Sequence, residues 1–291
     1  MSIVKAMRGE WLVLWSYCFL VGGLLLEMLL SRNARTSPLL DSLYRQRAAW
    51  FKLGFVVALF SSVVVAFVPT LNFSDGRSAW MIAPRLALLT IIFFDQRRSH
   101  CATFLGLACG ALLMLTQSLL SRSAMLDVWV VQTLFDWVHL LLAAAWLGGI
   151  AFLWMVVLSS DIALNDANLS RISFAVDRFS VVAMFCVLGL LVGGIAQATQ
   201  FIRDFADLWT TAYGQALSIK MVLFVALIGF GAYHRQVIAP KLRDHALVKL
   251  RQAEWTKRDT KRFRASLFLE NIVSIALLLI VALMKTLTNG V

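Results

Sequence analysis

An all-α, polytopic transmembrane helical bundle of about eight spans is the fold this sequence predicts, and three observations predict it. Hydrophobic residues make up 60% of the chain, against roughly 45–50% in a soluble domain, and the mean hydropathy is +0.79. Apolar runs long enough to cross about 30 Å of hydrocarbon recur along its length. The basic residues gather in alternate links between those runs, the pattern that orients membrane helices.

The runs fall at residues 11–30, 48–68, 79–94, 101–120, 129–158, 174–199, 214–237 and 267–286. The first is read as a retained span, because no small-residue cleavage site follows it. The third is the shortest and carries Pro84 and Arg85. The fifth is longer than a crossing needs, so its first turns are expected to stand proud of the bilayer. Most runs have no polar face, which a soluble helix on a protein surface would require.

Topology follows from charge. Arg32, Arg35, Arg45 and Arg47 lie between the first two runs, and Arg97 and Arg98 between the third and fourth. The link before the last run is the most basic, from Lys241 to Arg264. These are all odd-numbered links, so they share one side, expected to be cytoplasmic. The even-numbered links hold Arg77, Arg122 and Arg203 beside Asp75, Asp127, Asp204 and Asp207. Both termini are therefore expected outside, although Lys5 and Arg8 pull weakly the other way. The net charge of +11 is then an orientation signal and a contact with anionic lipid, not a nucleic-acid surface. Within the last link, Leu242, Leu247, Leu250 and Trp255 suggest an interfacial helix over 241–264.

The chain divides into an N-terminal four-span half, 1–128, and a C-terminal four-span half, 129–291. A faint likeness between them, Leu20-Val21-Gly22-Gly23 against Trp146-Leu147-Gly148-Gly149, suggests a 4+4 parallel repeat. Glycine pairs that simply let membrane helices pack closely are the other reading. Cys18, Cys101, Cys109 and Cys186 show no Cys-x-x-Cys spacing and read as buried thiols; Cys18 and Cys109 remain candidate soft ligands.

Ionisable residues inside a membrane mark function by default, and here they form two groups. Toward the outer side lie Asp136, His139, Arg85, Lys220 and Lys285; toward the inner side lie Glu27, Lys52, His234, Arg235 and Glu270. Asp136 and His139 are three apart and share a helical face. The aspartate could hold one ring nitrogen of the histidine and leave the other for a metal. Equally, Asp136 could cap the inserted helix while His139 bonds a neighbour. Lys220 needs a partner at depth, and Asp136 is a candidate. Met81 and Met221 add thioethers at similar depth, which suit a soft ion such as Cu(I).

Several of these residues carry a resemblance. His139-Leu-Leu-Leu-Ala-Ala-Ala-Trp146-Leu-Gly148-Gly149, Tyr213-Gly214-Gln215 with Lys220, Arg235 with Pro240, and Leu269-Glu270 together resemble the bacterial copper resistance protein D (CopD) family. The likeness runs from about Phe135 to the end. It implies an inner-membrane protein of copper homeostasis, with uptake of copper from the periplasm as its role. It also implies a separate periplasmic copper-binding protein as partner. His139 and Lys220 would be its outer functional positions, with Arg235 and Glu270 an inner structural or gating pair. Where the family carries two further outer histidines, this chain has Arg122 and Val13.

The leading expectation is thus copper transport, with His139 as ligand, Asp136 orienting it, and Met81 or Met221 as soft co-ligands. No Gly-x-x-x-x-Gly-Lys-Ser/Thr motif is present, so transport would be passive or driven by an ion gradient. A metal-free scaffold or accessory subunit is the alternative that Arg122 and Val13 favour. A haem-binding cytochrome is a third, disfavoured because His139 and His234 sit toward opposite faces. Hydrolase patterns are absent, and the expectation is a protein that is not an enzyme.

Overall fold

The structure is a computed structural model that describes residues 14–26, 28, 100–119, 129–158, 166–199, 204–247 and 257–289. Among these residues the ordered elements are helices. They are α1 (Leu14–Leu26), α2 (His100–Leu119), α3 (Trp129–Leu158), α4 (Asp166–Ala198), a single turn α5 (Asp207–Thr210), α6 (Ala212–Tyr233), a π turn (His234–Ile238), α7 (Ala239–Leu247) and α8 (Lys257–Asn289).

Four of them are long and apolar enough to cross a membrane, over Val130–Met155, Ile172–Ala198, Ala212–Arg243 and Arg258–Met284. Helices α1 and α2 supply shorter apolar stretches, Leu14–Leu26 and Phe104–Leu119. The expected spans at 48–68 and 79–94 lie outside the described residues. The distribution of side chains is that of a protein in lipid. Phe104 and Val222 are 70% and 69% exposed, on faces that water would not tolerate as a continuous apolar surface. Polar Ser16, Ser118, Asn271 and Ser274 are buried instead, where such groups join membrane helices.

Helix α3 is the centre of the bundle and packs against α2, α4 and α8. Trp137 Nε1 donates to the Ala111 carbonyl of α2 at 2.8 Å, and Ser118 Oγ donates to the Thr133 carbonyl at 2.8 Å. Trp146 meets Phe224 of α6 edge to face, with centroids 5.6 Å apart. The two glycine pairs singled out from sequence meet each other. Gly22 of α1 lies on the Gly148–Gly149 backbone, and Gly148 lies on the Cys18 carbonyl, so neither position has room for a Cβ. Cys18 and Cys109 are buried in this same apolar core.

The entry to α6 is built by side chains. Thr211 Oγ1 accepts from Gly214 N–H at 3.0 Å and donates to the Asp207 carbonyl at 2.7 Å. Gln215 Nε2 donates to the Trp209 carbonyl at 2.8 Å, and Gly214 sits where a Cβ would strike Asp207 O. Tyr213-Gly214-Gln215 therefore serves a tight elbow between α5 and α6. Thr211→Val is expected to destabilise the fold by about 1 kcal/mol, the usual worth of an N-cap, and thermal unfolding in detergent would measure it.

Two boundaries differ from the sequence reading. The helix of the seventh run does not stop before Pro240; it continues through the π turn to Leu247. Ala239 N–H reaches back to His234 O, and this wider turn makes room for a proline that has no N–H and would crowd the carbonyl four residues earlier. The last helix begins at Lys257, well before the run at 267–286. The expected interfacial helix over 241–264 is thereby corrected. Its first residues extend the α6 helix as α7, and its last residues are the opening turns of α8. Charged side chains tie these ends. Arg243 Nη2 and Nε reach Asp177 at 2.8 and 3.3 Å, and Lys241 Nζ lies 3.7 Å from Asp259.

Candidate functional site

Helix α3 carries Gln132, Asp136 and His139 at spacings of four and three, which is one helical face. That face looks onto the end of α4, where Gly193 and Gly194 present backbone without side chains. A Cβ on Gly193 would lie 3.3 Å from His139 Nδ1, and one on Gly194 3.8 Å from His139 Cε1. The imidazole occupies the space that the glycines leave. Gln197, one turn further along α4, brings Nε2 to 3.5 Å from Asp136 Oδ1. Lys220 of α6 completes the cluster and lies within electrostatic reach of both Asp136 and His139.

Four buried atoms of this stretch have no hydrogen-bond partner: Gln132 Oε1, Thr133 Oγ1, Asp136 Oδ2 and His139 Nδ1. Buried polar atoms are nearly always satisfied, and each one left without a partner costs on the order of 1–3 kcal/mol. Three of them, on Gln132, Asp136 and His139, lie along one face and make a cluster of donors and acceptors with capacity to spare. Asp136 sits well inside α3, and His139 Nδ1 makes no bond.

The second group, at the basic end, is assembled differently from expectation. Glu270 of α8 is only 2% exposed, and its Oε2 lies 3.2 Å from His234 Nδ1. The other ring nitrogen, His234 Nε2, is 2.8 Å from Ser266 Oγ, and the ring stands edge-on to Phe263. Arg235 is not the partner of Glu270; it is exposed and directs Nη1 to Met184 Sδ at 3.2 Å. The inner pair is thus His234–Glu270, and the expected Arg235–Glu270 pair is corrected.

Of the remaining residues named from sequence, Met221 is 56% exposed and faces away from the Asp136–His139 cluster. Met81 and Arg122 lie outside the described residues. Among the described residues, no three His, Cys, Asp or Glu side chains converge on one point. Sequence reasoning passed over the Gly193–Gly194 pair and the Gln132–Thr133 step. Both carried a signal: the first repeats the glycine doublets at 22–23 and 148–149, and the second precedes Asp136 by one turn.

With this geometry in place, comparison with known proteins is informative. The family described as copper resistance protein D matches residues 174–284, from within α4 to the end of α8. Lys220, Arg235 and Glu270 fall within that match, whereas Asp136 and His139 precede it. The chain is similar to a protein named copper transport protein CutJ of Bacillus subtilis (strain 168). The two are 32% identical over 192 residues, which cover 64% of this chain and 35% of that protein. It is also similar to inner membrane protein YebZ of Escherichia coli (strain K12), with 31% identity over 151 residues, 52% of this chain and 47% of that protein. The chain thus spans less than half the length of either relative. No solved structure matches it. Over its last spans this membrane protein matches the copper resistance protein D (CopD) family, and its similarity to these two relatives points the same way.

Proposed function

We propose that the chain moves copper from the periplasm into or across the bacterial inner membrane, by way of the Asp136–His139 cluster. The observation that carries this reading is the buried, unpartnered His139 Nδ1 facing Gly193, with Asp136 Oδ2 unpartnered one turn away. Copper is the cargo here. Imidazole nitrogen and carboxylate oxygen suit Cu(II) better than Cu(I), which asks for thioether or thiolate. Met81 is the methionine assigned to any soft step, since Met221 faces away from the cluster. Lys220 places a competing positive charge beside the donors, and a site of transit must bind weakly enough to release.

The rest of the reading follows the family and the charge pattern. The protein has eight spans in two parallel halves, 1–128 and 129–291, with both termini periplasmic. It is not an enzyme, and a separate periplasmic copper-binding protein hands it the ion. Names of the relatives support copper handling and an inner-membrane location. A metal-free scaffold or accessory subunit is the second reading, favoured by the small donor set among the described residues. A bis-histidine haem is disfavoured. His139 lies at the depth of Lys220, and His234 lies fourteen residues further along the helix, about 20 Å at 1.5 Å per residue.

Copper content of detergent-purified protein after loading tests the reading. Wild type is expected to retain copper stoichiometrically, and His139→Ala to lose at least about tenfold in retention, the lower end for a disturbed metal site. Absence of copper from the loaded wild type would overturn the transport reading in favour of the scaffold.

A further inference from the structure

Helices α6 and α8 part toward their basic end to leave a groove of about 590 Å³, open sideways. Ala226, Gly229, Phe230 and Tyr233 form one wall, with Leu269 and Arg262 on the other. Gly229 leaves its side of the groove open: nothing lies within 4 Å of the place its Cβ would take. The walls are apolar and exposed, with Leu269 and Tyr233 facing outward. From Arg262 to Leu269 the slot runs seven residues, about 10 Å along the helix axis.

The mouth of the slot is positive and uncompensated. Three other cations at this end are engaged, Arg264 with the Val157 carbonyl, Lys241 with Asp259 and Arg243 with Asp177, while exposed Lys261 adds to the free positive charge. Arg262 is exposed and has no hydrogen bond or ion pair among the described residues. Arg258, four residues earlier on the same face, is in the same condition. The carboxylates on α8 are taken, Asp259 by Lys241 and Glu270 by His234. No acid lines the groove.

We propose that this groove is a binding site for an anionic phospholipid, with one acyl chain in the slot beside Gly229 and the phosphate held by Arg262 and Arg258. An apolar channel ending in unpaired arginines, at the level where the span meets the headgroups, matches such a lipid in both shape and charge. A narrow apolar slot of this size admits a polymethylene chain. A helix, about 10 Å across with its side chains, would need a broader concavity.

Native mass spectrometry of the full chain tests this, with detergent-purified protein given phosphatidylglycerol or phosphatidylcholine of identical chains. Wild type is expected to retain one phosphatidylglycerol in preference to phosphatidylcholine. Arg262→Gln should cut that preference about fivefold, the worth of one basic residue at an anionic surface. Gly229→Leu should lose both lipids, because its side chain fills the slot without striking backbone. Gly231→Leu is the control: its Cβ also meets open space, but it does not line the groove, and retention should match wild type. Equal retention of the two headgroups by wild type, or unchanged retention in both groove variants, would overturn the proposal. A lipid-free dimer of wild type would do the same and assign the groove to a second copy of the chain.

Discussion

His234→Phe is expected to destabilise the protein by about 3–5 kcal/mol, the cost of breaking a buried pair by removing one partner. Glu270 would be left at 2% exposure without the imidazole 3.2 Å away, and Ser266 would lose its contact as well. The double variant His234→Phe with Glu270→Leu should recover most of that loss, since an apolar replacement of a buried pair is often neutral or better. Unfolding in micelles of wild type, both single variants and the double closes the cycle. A double variant no more stable than His234→Phe would mean that the cost is one of ring shape against Phe263 rather than of an abandoned carboxyl group.

Gly148→Ala is the second large effect. Its added methyl group would fall on the Cys18 carbonyl and against Gly22. Backbone cannot step aside as a flexible side chain can, so α1 and α3 must separate. Overpacking of this kind costs about 1–3 kcal/mol and sometimes more, and the upper end is expected here. The same substitution at Gly231 meets nothing within 4 Å and should be neutral or stabilising by up to about 1 kcal/mol through helix propensity. Unfolding midpoints of the two variants, measured side by side, should therefore move in opposite directions or at least differ clearly. Equal shifts would show that α1 does not press on α3 as described.

Much of this was legible before any coordinates, and the pattern of what was not has physical causes. Helix α3 has the bounds 129–158 read from hydropathy, because a long apolar run between polar links has few alternatives in a membrane. Asp136 and Lys220 could be matched by depth alone, since each needs a counter-charge. Depth does not give azimuth, however. His234 and Arg235 lie at nearly the same level but point about 100° apart, and only packing tells which of them meets Glu270. The seventh run ends at 237 in the sequence, where the hydropathy falls, and Pro240 is a residue that an ordinary α-turn cannot hold. The π turn removes that objection, and no hydropathy signal announces it. Gly193 and Gly194 were hidden for a different reason. Glycine marks a vacancy, and its meaning depends on which side chain fills it, here the ring of His139.

That wide turn also changes how the whole helix is keyed to its neighbours. Above it, α6 packs on α8; below it, α7 packs on α4, through buried Ile238, Ala239 and Leu242. A π turn takes up roughly one extra residue, which sets back the phase of everything after it by about 100°. One uninterrupted rod is thereby cut with two separate sets of teeth, the upper counted from Thr211 and the lower from His234. The buried histidine stands at the point where the count restarts.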